Sequence, residues 1–199
     1  RTMIIVVLAL IPALLFGIYN VGYQHFNAMG TLADTDFFEL FFYGLWRVLP
    51  MIIVSYVVGL GIEFAAAQIR GHEINEGFLV SGLLIPMIMQ VNAPLWMVGV
   101  STAFAVIIGK EIFGGTGMNI WNPALLARAF FFFSYPSMIS GDKVWIAGMP
   151  DGFSQATPLA EAAQGLPTTY DMSSMFWGLI PGSVGETSTF CILLGAILL

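Results

Sequence analysis

Long apolar runs are the feature of this sequence that most restricts its possible folds. Residues 2–21 are almost entirely apolar, and residues 45–69 form a second run in which Glu63 is the one acid. Each run reaches the roughly 20 residues with which a helix crosses the hydrocarbon of a bilayer. Because shorter apolar runs follow between polar segments, the sequence predicts an all-α integral membrane protein with several crossings.

The composition agrees with a chain that lies mostly in lipid. Hydrophobic residues make up 58% of the 199 residues and charged residues 9%, whereas about a quarter of an ordinary soluble domain is charged. The net charge of −6, with six lysines and arginines, excludes the clustered cations of a nucleic-acid surface. One cysteine and two histidines are too few for an iron–sulfur cluster or a zinc site. We therefore expect any redox centre on this chain to be organic.

Two apolar runs in the middle of the chain predict membrane helices of different kinds. Residues 77–90 are short for a crossing and contain Pro86, so we expect a broken or partly re-entrant helix there. Residues 94–109 are predicted to be the next crossing, with Lys110 and Glu111 as its polar end.

A helix start signal follows a glycine-rich segment. Residues 114–121 have little helical character, whereas Asn122 before Pro123 is the combination that begins a helix. This helix should run to about residue 135. Its predicted length of about 18 Å covers little more than half of the hydrocarbon.

Polar segments mark the predicted loops. Residues 22–39 contain three acids and are predicted to form a loop with a short interfacial helix. Residues 137–184 are the longest stretch predicted to leave the membrane. Residues 186–199 are apolar and stop without a polar flank, so we expect the chain to be part of a longer protein. The whole of residues 1–199 is predicted as one membrane domain of about six crossings, with an extramembrane loop at about 137–185.

The positive-inside tendency gives a predicted orientation. Placing Arg1, Arg70 and Lys110 in the cytoplasm makes residues 22–39 external. The fifth crossing of the chain then makes residues 137–184 external as well. Counting the broken segment differently would invert the later loops.

Glu63 is a candidate functional residue because of its depth. It precedes Arg70 by seven residues, or about 10 Å along a helix. An acid within a membrane helix suggests cation passage or quinone proton chemistry. The alternative is a carboxylate that reaches the interface or pairs with Arg70. Arg47 and Arg128 are interpreted as reaching the interface or pairing with backbone carbonyls.

Four motifs resemble one family of respiratory membrane subunits. They read HEINEGF at residues 72–78, GGTGMN with WNPAL at 114–119 and 121–125, DGFSQAT at 151–157, and PGSVGETS at 181–188. In this order they resemble the B subunit of the sodium-translocating NADH:quinone oxidoreductases. The related D subunit of the Rnf complex shares the second and third motifs, but we do not expect the first motif there.

The resemblance implies a fold and a function. Members have about ten helices in two inverted halves that resemble the urea-channel fold, with discontinuous helices near the midplane. This chain would be the first half plus one helix. Members pass electrons through covalent FMN and riboflavin to ubiquinone or menaquinone, coupled to sodium export across the bacterial inner membrane. Implied partners are an NADH-, FAD- and iron–sulfur-containing subunit, a second FMN subunit, other membrane subunits and a flavin transferase.

The third motif resembles the family's flavinylation sequence. The resemblance implies that Thr157 carries FMN through a phosphoester, with the loop on the periplasmic side. Ser154 is the nearest competing hydroxyl, and Asp151 is interpreted as a turn former or a transferase contact. The alternative for Thr157 is an N-cap, because Pro158 suits the first position of a helix.

The resemblance also suggests residues for the other ligands. Thr116, Asn119 and Asn122 are candidates to bind riboflavin, since amide side chains match the edge of an isoalloxazine ring. The alternative is a helix break followed by an asparagine cap. Gly59 and Phe78 join Glu63 as candidates for the quinone or sodium site.

Two other functions stay open from the sequence. A solute channel without redox chemistry would also use broken helices, but it would not need the motif at residues 151–157. The Rnf D subunit is the second alternative, and the motif at residues 72–78 argues against it. NADH is expected to bind elsewhere in the complex, because no glycine-rich dinucleotide motif appears here in a strand–helix context.

Overall fold

The computed structural model describes residues 2–71, 77–115, 117–136, 145–148 and 157–199, without the side chains of Thr2 and Arg70. The regular structure in these ranges is helical. The helices are α1 (Thr2–Met29), α2 (Phe37–Arg70), α3 (Gly77–Ile88), α4 (Leu95–Val106), α5 (Pro123–Ser134), α6 (Pro158–Ala163), α7 (Met172–Trp177) and α8 (Thr189–Leu198).

Two of these helices have the length and composition of membrane crossings. They cover Met3–Met29 and Phe37–Ile69, and large apolar side chains such as Trp46, Val57 and Ile69 are exposed along α2. Such side chains suit contact with lipid. The predicted all-helical architecture is therefore confirmed for the described residues, and the two long apolar helices are consistent with a membrane protein. The number of about six crossings and the inverted repeat stay predictions.

The loop predicted over residues 22–39 is wrong. α1 continues to Met29, and only residues 30–36, with a 3₁₀ turn at Leu32–Asp34, connect it to α2. Two polar residues of this stretch have partners within the protein: the buried Gln24 donates to Asn20 Oδ1 at 3.3 Å, and the half-buried His25 has Nδ1 2.6 Å from the Ala147 carbonyl oxygen. The polarity of residues 22–29 therefore reflects contacts within the protein and not a loop.

α1 and α2 pack closely through glycine. A Cβ on Gly44 would lie 1.8 Å from the Ile18 carbonyl oxygen, and one on Gly22 would lie 2.0 Å from the Leu40 carbonyl oxygen. Small residues let the backbones of membrane helices approach each other. Either glycine replaced by alanine would force the two helices apart.

α3 is a short helix attached to α2. Its 12 residues span about 18 Å, and it continues through Pro86 and ends at Ile88. The break predicted in this apolar run therefore lies after Ile88, two residues beyond Pro86. Tyr56 Oη donates to the Leu79 carbonyl at 2.6 Å, and Ser55 Oγ donates to the Gly82 carbonyl at 2.9 Å.

α4 does not end in a polar flank as predicted. It continues into a π-helical turn, Ile107–Glu111, in which Lys110 and Glu111 are 4% and 6% exposed. The apolar pattern could not show this, because both charges are buried by packing against other helices. The glycine-rich segment that follows is non-helical as predicted, and Gly114 and Gly115 have φ angles of 112° and 94°.

The predicted start of α5 is confirmed. Asn122 Oδ1 accepts a hydrogen bond from the Ala124 amide at 2.9 Å, and Pro123 is the first helical residue. The helix ends at Ser134, one residue before the expected end.

Residues 180–187 form an irregular turn buried against α1, which we call the buried turn. Asn20 Nδ2 donates to the Ile180 carbonyl at 3.0 Å, and the Gly185 amide donates to the Met87 carbonyl at 2.8 Å. A Cβ on Gly17 would lie 1.7 Å from the Val184 carbonyl oxygen. Residues at the end of the predicted external loop therefore pack onto α1, and the boundary of that loop at about residue 185 stays a prediction.

α8 begins at this turn and runs antiparallel to α1. Ser188 caps it by accepting from the Cys191 amide at 3.3 Å, and a Cβ on Gly195 would lie 2.3 Å from the Ala9 carbonyl oxygen. Gly17 lies about 22 Å along the roughly 42 Å of α1 at 1.5 Å per residue. α8 therefore starts about midway along a membrane-crossing helix.

Candidate functional site

Thr157 lies beside a cleft of about 340 Å³ between α5, α6, α7 and the buried turn, which we call the Thr157 cleft. Its walls include Arg128, Trp145, Leu159, Met175, Ser183 and Glu186. The volume is within the range of small-ligand sites. The candidate residue thus adjoins a concave surface.

Thr157 is also the N-cap of α6, as the alternative interpretation predicted. Its Oγ1 accepts a hydrogen bond from the Ala160 amide at 3.2 Å, and Pro158 is the first helical residue. The side chain is half-buried. The cap and a role in attachment are compatible, because the cap only requires the oxygen as an acceptor. Asp151 and Ser154 lie outside the described residues.

Two polar atoms of the Thr157 cleft are buried without a hydrogen bond among the described residues. They are Nη1 of Arg128 and Oγ of Ser183. Packing within the protein removes Arg128 Nη1 from solvent, whereas the residue as a whole is half-buried, so the expectation that Arg128 reaches the interface stays a prediction. Arg128 instead places its guanidinium carbon 6.0 Å from the centre of the Trp145 ring.

The segment that carries Trp145 is attached to α2 and to the residues after α3. Asn92 Nδ2 donates to the Ile146 carbonyl at 2.6 Å. The Ala147 carbonyl oxygen lies 3.3 Å from Tyr43 Oη, which donates to it. These bonds fix the backbone beside the indole ring that borders the Thr157 cleft.

The residues of the Thr157 cleft fit a flavin phosphate. Trp145, Leu159 and Met175 offer apolar surface to a planar ring system, as small-molecule sites commonly do. Arg128 offers a cation and Ser183 a hydroxyl. The negative charge of Glu186 repels an anion on its own side of the cleft. Because Glu186 is exposed to solvent, this repulsion is screened.

A buried ion pair forms a second candidate site. Lys110 Nζ contacts Glu63 Oε1, and the two residues are 4% and 5% exposed. Glu63 is therefore enclosed by protein. This finding contradicts the alternative interpretation in which its carboxylate reaches the interface. Its predicted partner in that interpretation, the side chain of Arg70, lies outside the described residues.

The candidates Gly59 and Phe78 lie at the same place as Glu63. Lys110 Nζ is 5.9 Å from the centre of the Phe78 ring, and a Cβ on Gly59 would lie 1.8 Å from Phe78 Cζ. We call Gly59, Glu63, Phe78 and Lys110 the buried-charge cluster. Lys110 was not among the residues predicted for this site, because the sequence places it at the end of a helix. The pattern that could have identified it is an acid and a lysine in two neighbouring apolar segments.

A cleft of about 520 Å³ adjoins the buried-charge cluster. We call it the Lys110 cleft, and its walls include Gly77, Ser81, Lys110, Asn119, Trp121 and Asn122. The structure thus brings two of the predicted riboflavin residues beside the predicted quinone or sodium residues. Thr116, the third riboflavin candidate, lies outside the described residues.

The two asparagines differ in the groups that they leave for a ligand. Asn119 Oδ1 accepts from the Gly117 amide at 3.3 Å, and its Nδ2 donates to the Trp121 carbonyl at 3.1 Å. Asn122 uses Oδ1 for the helix cap, as the alternative interpretation predicted, and the cap does not engage its Nδ2. Of the two, Asn122 is the better placed to donate to a ligand.

No metal site is evident in the part of the chain that the structure describes. Groups of three or more histidine, cysteine, aspartate or glutamate side chains are absent there. Cys191, the one cysteine of the sequence, is buried as a free thiol.

The chain is similar to a set of respiratory membrane subunits. Residues 1–199 match the NQR2, RnfD, RnfE family. Proteins named as the B subunit of Na(+)-translocating NADH-quinone reductase are 44% identical over the whole chain in Chromohalobacter salexigens and 41% identical over 99% of it in Pseudoalteromonas atlantica. The matches cover 54% and 55% of those relatives, so the chain spans about half the length of the curated relatives it matches. This chain belongs to the NQR2, RnfD, RnfE family.

Proposed function

We propose that this chain is part of the flavin-carrying membrane subunit of a sodium-translocating NADH:quinone oxidoreductase, with FMN joined to Thr157. The names of its relatives support membership of this complex. The observation that carries the flavin assignment is the position of Thr157 beside a cleft with apolar walls, a buried guanidinium nitrogen and a buried hydroxyl.

Thr157 supplies the oxygen of the proposed linkage. Its hydroxyl would lose a proton and form an O–P bond with a flavin dinucleotide, from which a nucleoside monophosphate leaves, in a reaction catalysed by a separate flavin transferase. Asp151 is a proposed turn former or transferase contact, and Ser154 is the nearest competing hydroxyl at this cofactor-binding motif. Bound flavin would accept and release electrons, and Thr157 would keep it within reach of the cleft.

The Lys110 cleft is the proposed place of riboflavin. Asn122 would donate through Nδ2, whereas Asn119 would shape the turn and Thr116 would contribute a hydroxyl. Support comes from the position of Asn119 and Asn122 on the wall of this cleft. Glu63, Gly59 and Phe78 are the proposed residues of sodium or quinone coupling, because an acid in a membrane segment is a functional candidate.

The proposed partners follow from the same assignment. They are the NADH-, FAD- and iron–sulfur-containing subunit, the second FMN subunit, the other membrane subunits, and ubiquinone or menaquinone. The proposed location is the bacterial inner membrane, with the Thr157 loop on the periplasmic side. The D subunit of an Rnf complex is less favoured, because relatives at 40–44% identity carry the name of the B subunit of the reductase.

Replacing Thr157 tests the proposed function. Thr157→Ala in the full-length protein should abolish the flavin fluorescence that survives denaturation, while membrane insertion is retained because loss of one cap destabilises by about 1 kcal/mol. Thr157→Ser keeps the hydroxyl and should retain attachment. A mass spectrum that finds FMN on Ser154 or elsewhere in Thr157→Ala, or no FMN in the wild-type protein, would refute the assignment.

A further inference from the structure

Two residues that line the Thr157 cleft each have a buried polar atom without a hydrogen bond among the described residues. Arg128 Nη1 comes from α5 and Ser183 Oγ from the buried turn, and neither makes a hydrogen bond within the described ranges. Ser183 is 1% exposed, so bulk water does not satisfy its hydroxyl. Unpartnered buried polar atoms are rare in native proteins. Because both residues line one cleft, the two donors favour a ligand with hydrogen-bond acceptors.

We propose that Arg128 and Ser183 bind the phosphate of the flavin attached to Thr157, an inference that rests on the proposed function. A phosphodiester carries one negative charge and two non-bridging oxygens. The guanidinium is planar and permanently charged, and its N–H donors match phosphate oxygens. The Ser183 hydroxyl donates to the same group. Both residues are positioning residues, because they bind the phosphate of the linkage, whereas the apolar walls of the cleft contact the flavin ring.

The buried turn positions Ser183 rigidly. Asn20 binds the Ile180 carbonyl before Ser183, and the Gly185 amide binds the end of α3 after it. Because α1 lies against Val184, the turn cannot move toward α1. The motif at residues 181–188 therefore has a role in positioning Ser183, whereas the proposed attachment reaction does not require this motif.

α5 and Trp145 position Arg128. The preceding residue, Ala127, is fully buried, so α5 cannot rotate freely about its axis. The guanidinium lies near the face of the Trp145 indole, an arrangement that favours a cation over an aromatic ring. Glu186 lies on another part of the cleft wall, so the phosphate is expected on the side of Arg128.

Flavin mobility tests this role separately from attachment. The full-length protein is purified in detergent from cells that contain the transferase, and dissociable flavin is washed out. Mass spectrometry measures flavin on Thr157, and the anisotropy decay of the flavin separates docked from freely rotating fluorophore. The variants are Arg128→Gln, Arg128→Lys and Ser183→Ala. Ser173→Ala is the control, because it removes an exposed serine hydroxyl that does not line the cleft.

Arg128→Gln should keep flavin on Thr157 but raise the ratio of freely rotating to docked flavin about tenfold or more, the size expected from losing a charge-assisted hydrogen bond. Arg128→Lys should lie between this variant and the wild type, since it keeps the charge and loses the planar donors. Ser183→Ala should increase mobility less than Arg128→Gln, and Ser173→Ala should match the wild type.

Equal mobility in the wild type, Arg128→Gln and Ser183→Ala would overturn the inference. If Arg128→Gln fails to insert, Ser183→Ala and Arg128→Lys decide it. A phospholipid headgroup offers the same phosphate chemistry, so bound phospholipid is measured in each variant. Loss of lipid from Arg128→Gln with unchanged flavin mobility would assign the site to lipid and reject the flavin. Absence of flavin from wild-type Thr157 would instead refute the proposed function, and with it this inference.

Discussion

Lys110 and Glu63 form an ion pair in which neither residue is more than 5% exposed. The pair joins α2 to the π-helical turn after α4. Removing charges from water is unfavourable unless they are paired and hydrogen-bonded. Each charge therefore makes the burial of the other possible, and the pair borders a cleft through Lys110.

Lys110→Met should destabilise the full-length protein, because it removes the cation that contacts the buried Glu63 carboxylate and breaking a buried ion pair costs about 3–5 kcal/mol. Glu63→Gln in the same chain should recover much of this loss. Unfolding of the single and double variants in detergent measures the coupling. Strictly additive effects would show that the two side chains do not stabilise each other.

Glu63→Gln alone should impair quinone reduction or sodium coupling in the assembled complex while flavin content stays at the wild-type level. The neutral amide keeps the shape of the side chain and removes its charge. Turnover, its sodium dependence and bound flavin are the three measurements. Wild-type turnover with unchanged sodium dependence would assign Glu63 to structure alone.

Gly59→Ala should disturb the buried-charge cluster, because the new Cβ would lie 1.8 Å from Phe78 Cζ. Gly61→Ala is the matched control on α2, where a Cβ meets no atom within 4 Å. The control should stabilise by up to about 1 kcal/mol through helix propensity. Thermal unfolding compares the two variants, and equal stabilisation would mean that the Phe78 ring moves without penalty.

Asn122→Ser separates the cap of α5 from a contact with riboflavin. Serine retains an N-cap oxygen, so stability should change by only a few tenths of a kcal/mol. The loss of Nδ2 should lower the amount of dissociable riboflavin in the purified protein. Asn122→Ala should lower stability by about 1 kcal/mol as well. Wild-type riboflavin content in Asn122→Ser would remove this residue from the proposed site.

A cysteine at Gln164 tests the predicted orientation. Gln164 is exposed after α6, whereas the neighbouring Gly165 has a φ of 71° that a cysteine would adopt only with strain. A membrane-impermeant thiol reagent should label Gln164→Cys in intact cells if this loop is external. The buried Cys191 gives the background. Labelling only after lysis would place the loop in the cytoplasm.

Local signals allowed part of the fold to be predicted. The apolar runs identified α1 and α2, and Asn122 with Pro123 identified the start of α5 because capping depends on adjacent residues. The motif at Thr157 likewise contained its own helix start. These features need no knowledge of distant parts of the chain.

The remaining features depend on distant contacts. Residues 22–29 are polar yet helical because Gln24 and His25 find partners inside the protein. The sequence predicts Lys110 at the polar end of a helix, and only the fold shows that Lys110 contacts Glu63. The sequence around Ser183 gives no sign that α1 buries it, since the contacting residues Gly17 and Asn20 are more than 150 positions away.

The midway start of α8 has a consequence for biogenesis. The buried turn has its backbone partners on α1 and at the end of α3, and unpaired backbone groups are unfavourable in hydrocarbon. During synthesis, α1 emerges long before this turn is made. The surface formed by α1 and α3 must therefore remain accessible in the nascent membrane protein until the buried turn and α8 have been synthesised and pack against it.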